Sequence, residues 1–291
     1  VSVVFFKLTG SGNDFVMVDG QTTTPAEWPV ERIRAICDRR DGIGADGFVI
    51  LTPVGPDAVE MTFFNNDGSP APMCGNAALC STRLAAHLEM GDPAGMTLVT
   101  GAGSFRTRCV GEGHLAELNL PDTDIPLETG IPTVAGEGWV RLGRVGVPHL
   151  VVLTEDVADV DIPNRGRELR FHAGAGTGGA NANFVSRTSR STGTEGSKVD
   201  EVRWAVRTYE RGVEAETLAC GTGTVTAALA IAALGLDRLP LQFRTESGRS
   251  LAVNATIHGN RATHIWLCGE GRLVARGVWL GEDGAIATQS T

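Results

Sequence analysis

Two Cys-Gly turns, each opening an apolar helix-forming run, constrain this chain more than any other feature. The first reads Met73-Cys74-Gly75-Asn76-Ala77-Ala78-Leu79-Cys80, the second Ala219-Cys220-Gly221-Thr222-Gly223-Thr224, about half the chain apart. Other segments recur in the same order. Gly12-Asn13-Asp14-Phe15-Val16 is mirrored by Gly146-Val147-Pro148-His149-Leu150, and Gly44-Ala45-Asp46-Gly47-Phe48-Val49 is echoed by Gly179-Ala180-Asn181-Ala182-Asn183-Phe184-Val185. The apolar run 59–64 with its Asn65 turn precedes Cys74 as 202–209 with Glu210-Arg211-Gly212 precedes Cys220. Each match alone would be coincidence; three in order, at offsets of roughly 135 to 146 residues, indicate internal duplication. Two copies of one unit give two similar lobes with a cleft between them, a common place for a ligand site.

Alternating and continuous apolar runs predict strands over 3–8, 15–19, 48–51 and 59–64, near 98, and over 105–109 and 115–120. Helices are predicted over 29–38 and 77–89, the latter stopped by Gly91, and after Cys220. The Pro- and acid-rich stretch 121–132 lacks periodicity and marks the boundary between halves. Residues 186–200 are Ser/Thr/Gly-rich and read as a mobile loop; the last strands fall near 265–268 and 274–280, with a frayed end beyond.

A helix start presents unpaired N–H groups and the positive end of the dipole. A cysteine there has its thiolate stabilised, and the same N–H groups can hold a carboxylate. Gly75 and Gly221 allow a ligand close to the backbone. One such cysteine is ordinarily structural; two at matching places in a duplicated chain point to function. Two thiols addressing one carbon suit stereoinversion: one thiolate removes an α-proton and the other thiol protonates the opposite face. A pyridoxal cofactor would need a Schiff-base lysine. The chain has only Lys7, in a strand, and Lys198, in the polar loop, so a cofactor-free route is expected.

Other features narrow the class. The net charge is −9 and no basic stripe is visible, against nucleic-acid binding. No apolar run approaches the roughly 20 residues of a membrane helix. The opening residues read as a strand rather than a signal peptide, and a cytoplasmic protein is expected. The six cysteines form no CxxC and match no zinc spacing, so no metal is expected. Gly174-Ala175-Gly176-Thr177-Gly178-Gly179 contains GxGxxG, but it precedes a strand and is not a dinucleotide site. Asn13, Asn65 and Asn181 sit at strand–turn junctions, Arg211 could clamp a carboxylate, and His149 could tune a thiol.

These residues resemble the diaminopimelate epimerase family. Lys7-Leu8-Thr9-Gly10-Ser11-Gly12-Asn13-Asp14-Phe15 is similar to the family's opening. Asn65-x-Asp67-Gly68-Ser69 with Met73-Cys74-Gly75-Asn76 resembles its first catalytic segment. Tyr209-Glu210-Arg211-Gly212 with Glu216-Thr217-x-Ala219-Cys220-Gly221-Thr222-Gly223 resembles the second. The resemblance implies an α+β fold of two pseudo-symmetric lobes, each a mainly antiparallel, barrel-like sheet around a central helix, with the active site in the cleft. The lobes would span 1–121, completed by a C-terminal strand in 273–291, and 122–272. It implies a cofactor-independent isomerase interconverting LL- and meso-diaminopimelate for lysine and cell-wall synthesis. Cys74 and Cys220 carry over as the acid/base pair, and His149 and Glu210 as residues that adjust the thiols. Asn13, Asn65, Asn181, Glu210 and Arg211 carry over as substrate-binding residues, with Gly75, Asn76, Gly221 and Thr222 holding the α-carboxylate. Ala77 and Leu79 stand where members commonly have Gly and Arg, Gly47 where some have Gln, and Val147 where Asn is frequent. The expected partner is a small amino acid; a homodimer is one assembly the sequence allows. Three other readings remain: a racemase of another amino acid on this fold, a redox sensor in which Cys74 and Cys220 form a reversible disulfide, and a Cys220–His149 hydrolase.

Overall fold

A computed structural model describes residues 2–188 and 202–281. The polar stretch after Thr188, Lys198 with it, and the expected frayed end lie outside these residues. The described chain forms two compact units, one running to Glu117 and resuming at Glu270, the other spanning Leu118–Gly269.

The first unit opens with an antiparallel hairpin of β1 (Val3–Gly10) and β2 (Asn13–Asp19). Helix α1 (Val30–Cys37) follows, with Pro29 as its N-cap. β3 (Gly47–Gly55) pairs parallel with β2, and β4 (Ala58–Asn65) returns antiparallel to β3. Short β5 (Pro70–Ala71) folds back on β4 and leads into α2 (Gly75–His87). β6 (Met96–Thr100) then pairs parallel with β4, and β7 (Gly103–Val110) antiparallel with β6. Phe15 to Val18 and Phe48 to Leu51 are wholly buried, as expected of strands covered on both faces. Val16, Val18, Phe48 and Ile50 pack on Trp28, Ile33 and Ile36, while β3 and β4 also lie against α2.

β8 (Leu115–Leu120) carries the chain into the second unit. The stretch without periodicity contains two short strands, β9 (Thr123–Asp124) and β10 (Leu127–Glu128), which pair with later strands. Two-residue strands are too short to leave a period in the sequence. β11 (Glu137–Val145) and β12 (Val147–Thr154) form an antiparallel hairpin. After α3 (Arg167–Arg170), β13 (Asn181–Arg187) pairs parallel with β12, and β14 (Trp204–Glu210) antiparallel with β13. β15 (Ala215–Thr217) folds back on β14 and leads into α4 (Gly221–Ala233). β16 (Leu241–Arg244) pairs parallel with β14, followed antiparallel by β17 (Ser250–His258) and β18 (Arg261–Glu270). The last strand, β19 (Arg272–Trp279), returns to the first unit and pairs antiparallel with β1.

The two connection patterns are the same: hairpin, parallel partner, antiparallel return, short fold-back, buried helix, parallel strand. Strand register makes the equivalence residue-specific. Phe15 stands opposite Gly47, and His149 opposite Asn181. Phe48 stands opposite Phe64, and Ala182 opposite Tyr209. Asn13 therefore corresponds to Val147, Gly47 to Asn181, Asn65 to Glu210 and Cys74 to Cys220. The text match of Gly44 with Gly179 is displaced by one residue from this register, because the loops before β3 and β13 differ in length.

The central helices explain the barrel-like wrapping. α4 is buried on all sides and packs against β11, β12, β13 and β17. Its hydroxyls are tolerable there because Thr224 and Thr226 donate to the carbonyls of Cys220 and Thr222 at 2.8 and 2.9 Å. In α2, Thr82 likewise donates to Ala78 at 2.8 Å. α2 ends two residues earlier than its apolar run suggests, at His87; the left-handed residue after it is Glu89 (φ 57°), not Gly91.

Candidate active site

Each cysteine occupies the same element in its own unit. Cys74 is the N-cap of α2, extended at φ −135°, ψ 124°; Cys220 is the N-cap of α4, at φ −122°, ψ 106°. Each carbonyl receives the first helical hydrogen bond, Ala78 N–H to Cys74 at 2.9 Å and Thr224 N–H to Cys220 at 3.0 Å. The N–H groups that follow, including those of Gly75, Asn76, Gly221 and Thr222, lie in the first turn, where a helix has no internal acceptors. Gly221 is also fixed by packing, since a Cβ there would meet Leu267 at 2.7 Å. Cys37 and Cys80 differ from this pair. Burial pushes the Cys37 thiol up to about 12 and Cys80 well above its ordinary value, as for structural cysteines.

In the first unit, Asn76 Nδ2 donates to Asn13 Oδ1 at 2.7 Å, and Asn13 Nδ2 donates to Asp46 Oδ2 at 3.0 Å. Asp46 and Asp14 share Arg39, whose guanidinium reaches them at 2.6 and 2.7 Å. Lys7 pairs with Asp14 at 2.7 Å and also donates to the Gly44 carbonyl. Despite partial burial, the Arg39 and Lys7 charges hold the Asp14 carboxyl down at about 2. The structure thus brings Asn13 and Asn76 together beside Cys74, with Asp46 and Arg39 as supports that sequence reading missed. Asn65 is placed at the end of β4, its amide donating to Ser69 Oγ at 3.0 Å.

In the second unit, Asn181 links most of the candidates. Its Nδ2 lies 3.9 Å from Cys220 Sγ and 3.4 Å from His149 Nδ1, and its Oδ1 accepts from the Arg211 backbone N–H at 2.7 Å. Thr222 Oγ1 lies 3.8 Å from the same sulfur. His149 is fully buried, and desolvation drives its imidazole down to about 3. Burial raises the Glu210 carboxyl, against the lowering effect of the Thr217 hydroxyl. Among the described residues the Arg211 guanidinium has no carboxylate partner, whereas Arg165, Arg170 and Arg207 are paired with Glu137, Glu214 and Glu216. A second buried asparagine, Asn183, was missed. Its signal was present: Asn181 and Asn183 alternate with Ala182 and Phe184, so both amides share one strand face.

One groove of the second unit, about 520 Å³, runs along 156–158, 186–188, 205–207 and 244–248, and its lining does not include Cys220. Among the described residues no cluster of three His, Cys, Asp or Glu could hold a metal ion, and no helix is long and apolar enough to cross a membrane.

Similarity to known proteins places the chain in a family. The family model for diaminopimelate epimerase matches residues 5–121 and 142–270. The chain is 43% identical to the diaminopimelate epimerase of Gemmatimonas aurantiaca over 94% of its own length and 98% of that protein. It is 37% identical to the diaminopimelate epimerase of Aquifex aeolicus, over 86% and 89% of the two chains. The chain belongs to the diaminopimelate epimerase family. It is accordingly an isomerase of amino-acid and lysine biosynthesis. A PhzF-family phenazine biosynthesis protein of Bacillus anthracis superposes with TM-score 0.70 at 14% identity, covering 96% of this chain and 99% of that one. A probable proline racemase of Agrobacterium radiobacter superposes with TM-score 0.63 at 17% identity, covering 94% and 92%. Those likenesses establish the two-lobed α+β fold of diaminopimelate epimerases and their relatives, as the sequence implied.

Proposed function

We propose that this epimerase interconverts LL- and meso-diaminopimelate with Cys74 and Cys220 as its acid/base pair. The observation that carries the reading is the recurrence of one element, an extended cysteine N-cap on a buried helix, at equivalent positions of a duplicated chain. One cysteine, as thiolate, takes the α-proton and becomes a thiol. The other, as thiol, gives its proton to the opposite face of the carbanion and becomes a thiolate. Protons balance, and the enzyme ends with the two roles exchanged. The first-turn N–H groups of Gly75, Asn76, Gly221 and Thr222 would hold the α-carboxylate and stabilise the charge that develops on it. Arg211, without a carboxylate partner of its own, would clamp a substrate carboxylate, with Asn13, Asn65, Asn181 and Glu210 as further contacts. Lys7 is engaged with Asp14, which supports a route without a Schiff base. The enzyme would work in the cytoplasm, and a homodimer is the assembly to look for by sedimentation.

The test is α-proton exchange from LL-diaminopimelate in heavy water with purified protein. Cys74→Ala and Cys220→Ala should each lose at least about 10²-fold in exchange and inversion. If both variants invert diaminopimelate at the wild-type rate, the two-thiol mechanism is wrong. A second reading, inversion of a different amino acid, is favoured by Val147, an apolar residue where the first unit has Asn13. It would be supported by faster inversion of another amino acid in a panel that includes LL-diaminopimelate.

A further inference from the structure

His149 was expected to adjust a thiol, and Asn181 to bind substrate. The hydrogen bonds of the second unit suggest another wiring. Asn181 Oδ1 accepts the Arg211 backbone N–H at 2.7 Å, which fixes the oxygen end of its amide. The nitrogen end then faces Cys220 Sγ at 3.9 Å and His149 Nδ1 at 3.4 Å. An amide nitrogen has two hydrogens, one for each of these acceptors. Asn183 is pinned in the same sense. Its Oδ1 accepts from Thr208 Oγ1 at 3.0 Å, and its Nδ2 donates to the Leu150 carbonyl at 2.9 Å and faces His149 Nδ1 at 3.4 Å. Facing two donors, Nδ1 must be an acceptor, so His149 is neutral with its proton on Nε2. Packing enforces the arrangement: a Cβ on Gly223 would lie 2.0 Å from Asn183 Oδ1 and 3.3 Å from Cys220 Sγ.

We propose that Asn181 is a catalytic residue for Cys220, its amide N–H donating to the sulfur and stabilising the thiolate, with His149 and Asn183 as positioning residues that hold that amide in place. His149 then acts on the thiol through Asn181. The proposal rests on Cys220 being an acid/base group, but it is read on the free protein, without turnover. The titratable and charged residues that face the Asn181 amide are His149 on β12 and Arg211 at the end of β14, and the Asn181 variants retain both.

The experiment is the pH dependence of iodoacetamide alkylation, followed by mass spectrometry at the Cys220 and Cys74 peptides of the full-length protein. In Asn181→Ala the Cys220 midpoint should rise by about one pH unit, a roughly tenfold slower reaction below the midpoint. The Cys74 midpoint should stay put. Asn181→Asp, which removes the donor and adds a negative charge, should raise the Cys220 midpoint further. A Cys220 midpoint equal to wild type in Asn181→Ala overturns the proposal. Wild-type protein supplies a check that needs no variant to fold. Its His149 ¹⁵N resonances should report protonated Nε2 and bare Nδ1 from pH 5 to 9, and a proton on Nδ1 in that range overturns the wiring. A raised midpoint in a protein that leaves diaminopimelate unchanged would support the thiol assignment while sinking the epimerase reading.

Discussion

A buried histidine is usually read as a pH switch, and at His149 the surroundings remove that role. Desolvation holds its folded value near 3, against 6.5 for an unburied histidine. Between those values the unfolded chain binds a proton that the folded protein refuses, so stability rises with pH there and is lost as pH falls from 6.5 toward 3. The slope is about 1.4 kcal/mol per pH unit for one such group. Asp14 contributes in the same direction but only below its unfolded value of 3.8, down to about 2. Glu210 has the opposite sign: its raised carboxyl keeps a proton that the unfolded chain has released, so its contribution fades as pH climbs above 4.5. Urea midpoints measured from pH 4 to 6.5 should therefore fall less steeply toward acid in His149→Gln than in wild type. Equal slopes would mean that His149 is not held neutral in the fold. At this scale Cys74, Cys220 and Arg211 were legible because a repeat or a motif marked them. Asp46 and Asn183 were not, because their importance lies in which side chain they touch from another strand or loop.

At the scale of elements, the two central helices were easy to read and their partners were not. An apolar run with a small residue at nearly every turn can only be a buried helix, and α4 is one. The strands around it could be found singly, but β16 and β17 were passed over, and β9 and β10 are too short to announce themselves. Whether strands pair parallel or antiparallel is decided by neighbours far away in sequence. The rigidity of the Cys220 N-cap depends on this packing, because the cap belongs to a helix whose side chains fill the interior. Leu229 is wholly buried in the middle of α4. Leu229→Ala should lower unfolding stability by about 2–5 kcal/mol, as a cavity forms that the surrounding strands cannot close. Urea denaturation measures this directly. A loss under about 0.5 kcal/mol would show that the helix is not the packed centre of its unit.

The whole molecule is a duplication whose second copy is continuous and whose first copy is not. The repeat was visible in the sequence because short polar motifs survive at strand ends, where geometry and chemistry restrict them more than the apolar interiors between. Register then corrected the text alignment by one residue near β3 and β13, since insertions fall in loops and leave pairing intact. The discontinuity has a mechanical consequence. β1 is paired on one side by β2 and on the other by β19, the last strand of the described chain. Trp279 at the end of β19 stacks on Trp28 at 5.8 Å, and Trp28 packs on Phe48 at 4.2 Å with the Arg32 guanidinium over its ring at 4.2 Å. Closure of the first unit thus depends on residues made after the whole second unit. Trp279→Ala should cost about 3–5 kcal/mol. Hydrogen exchange should show where: faster in β1, β2 and α1, and unchanged in β12 and β13, whose core cluster contains no residue of β19. Equal acceleration in both sets would mean that the two units open as one.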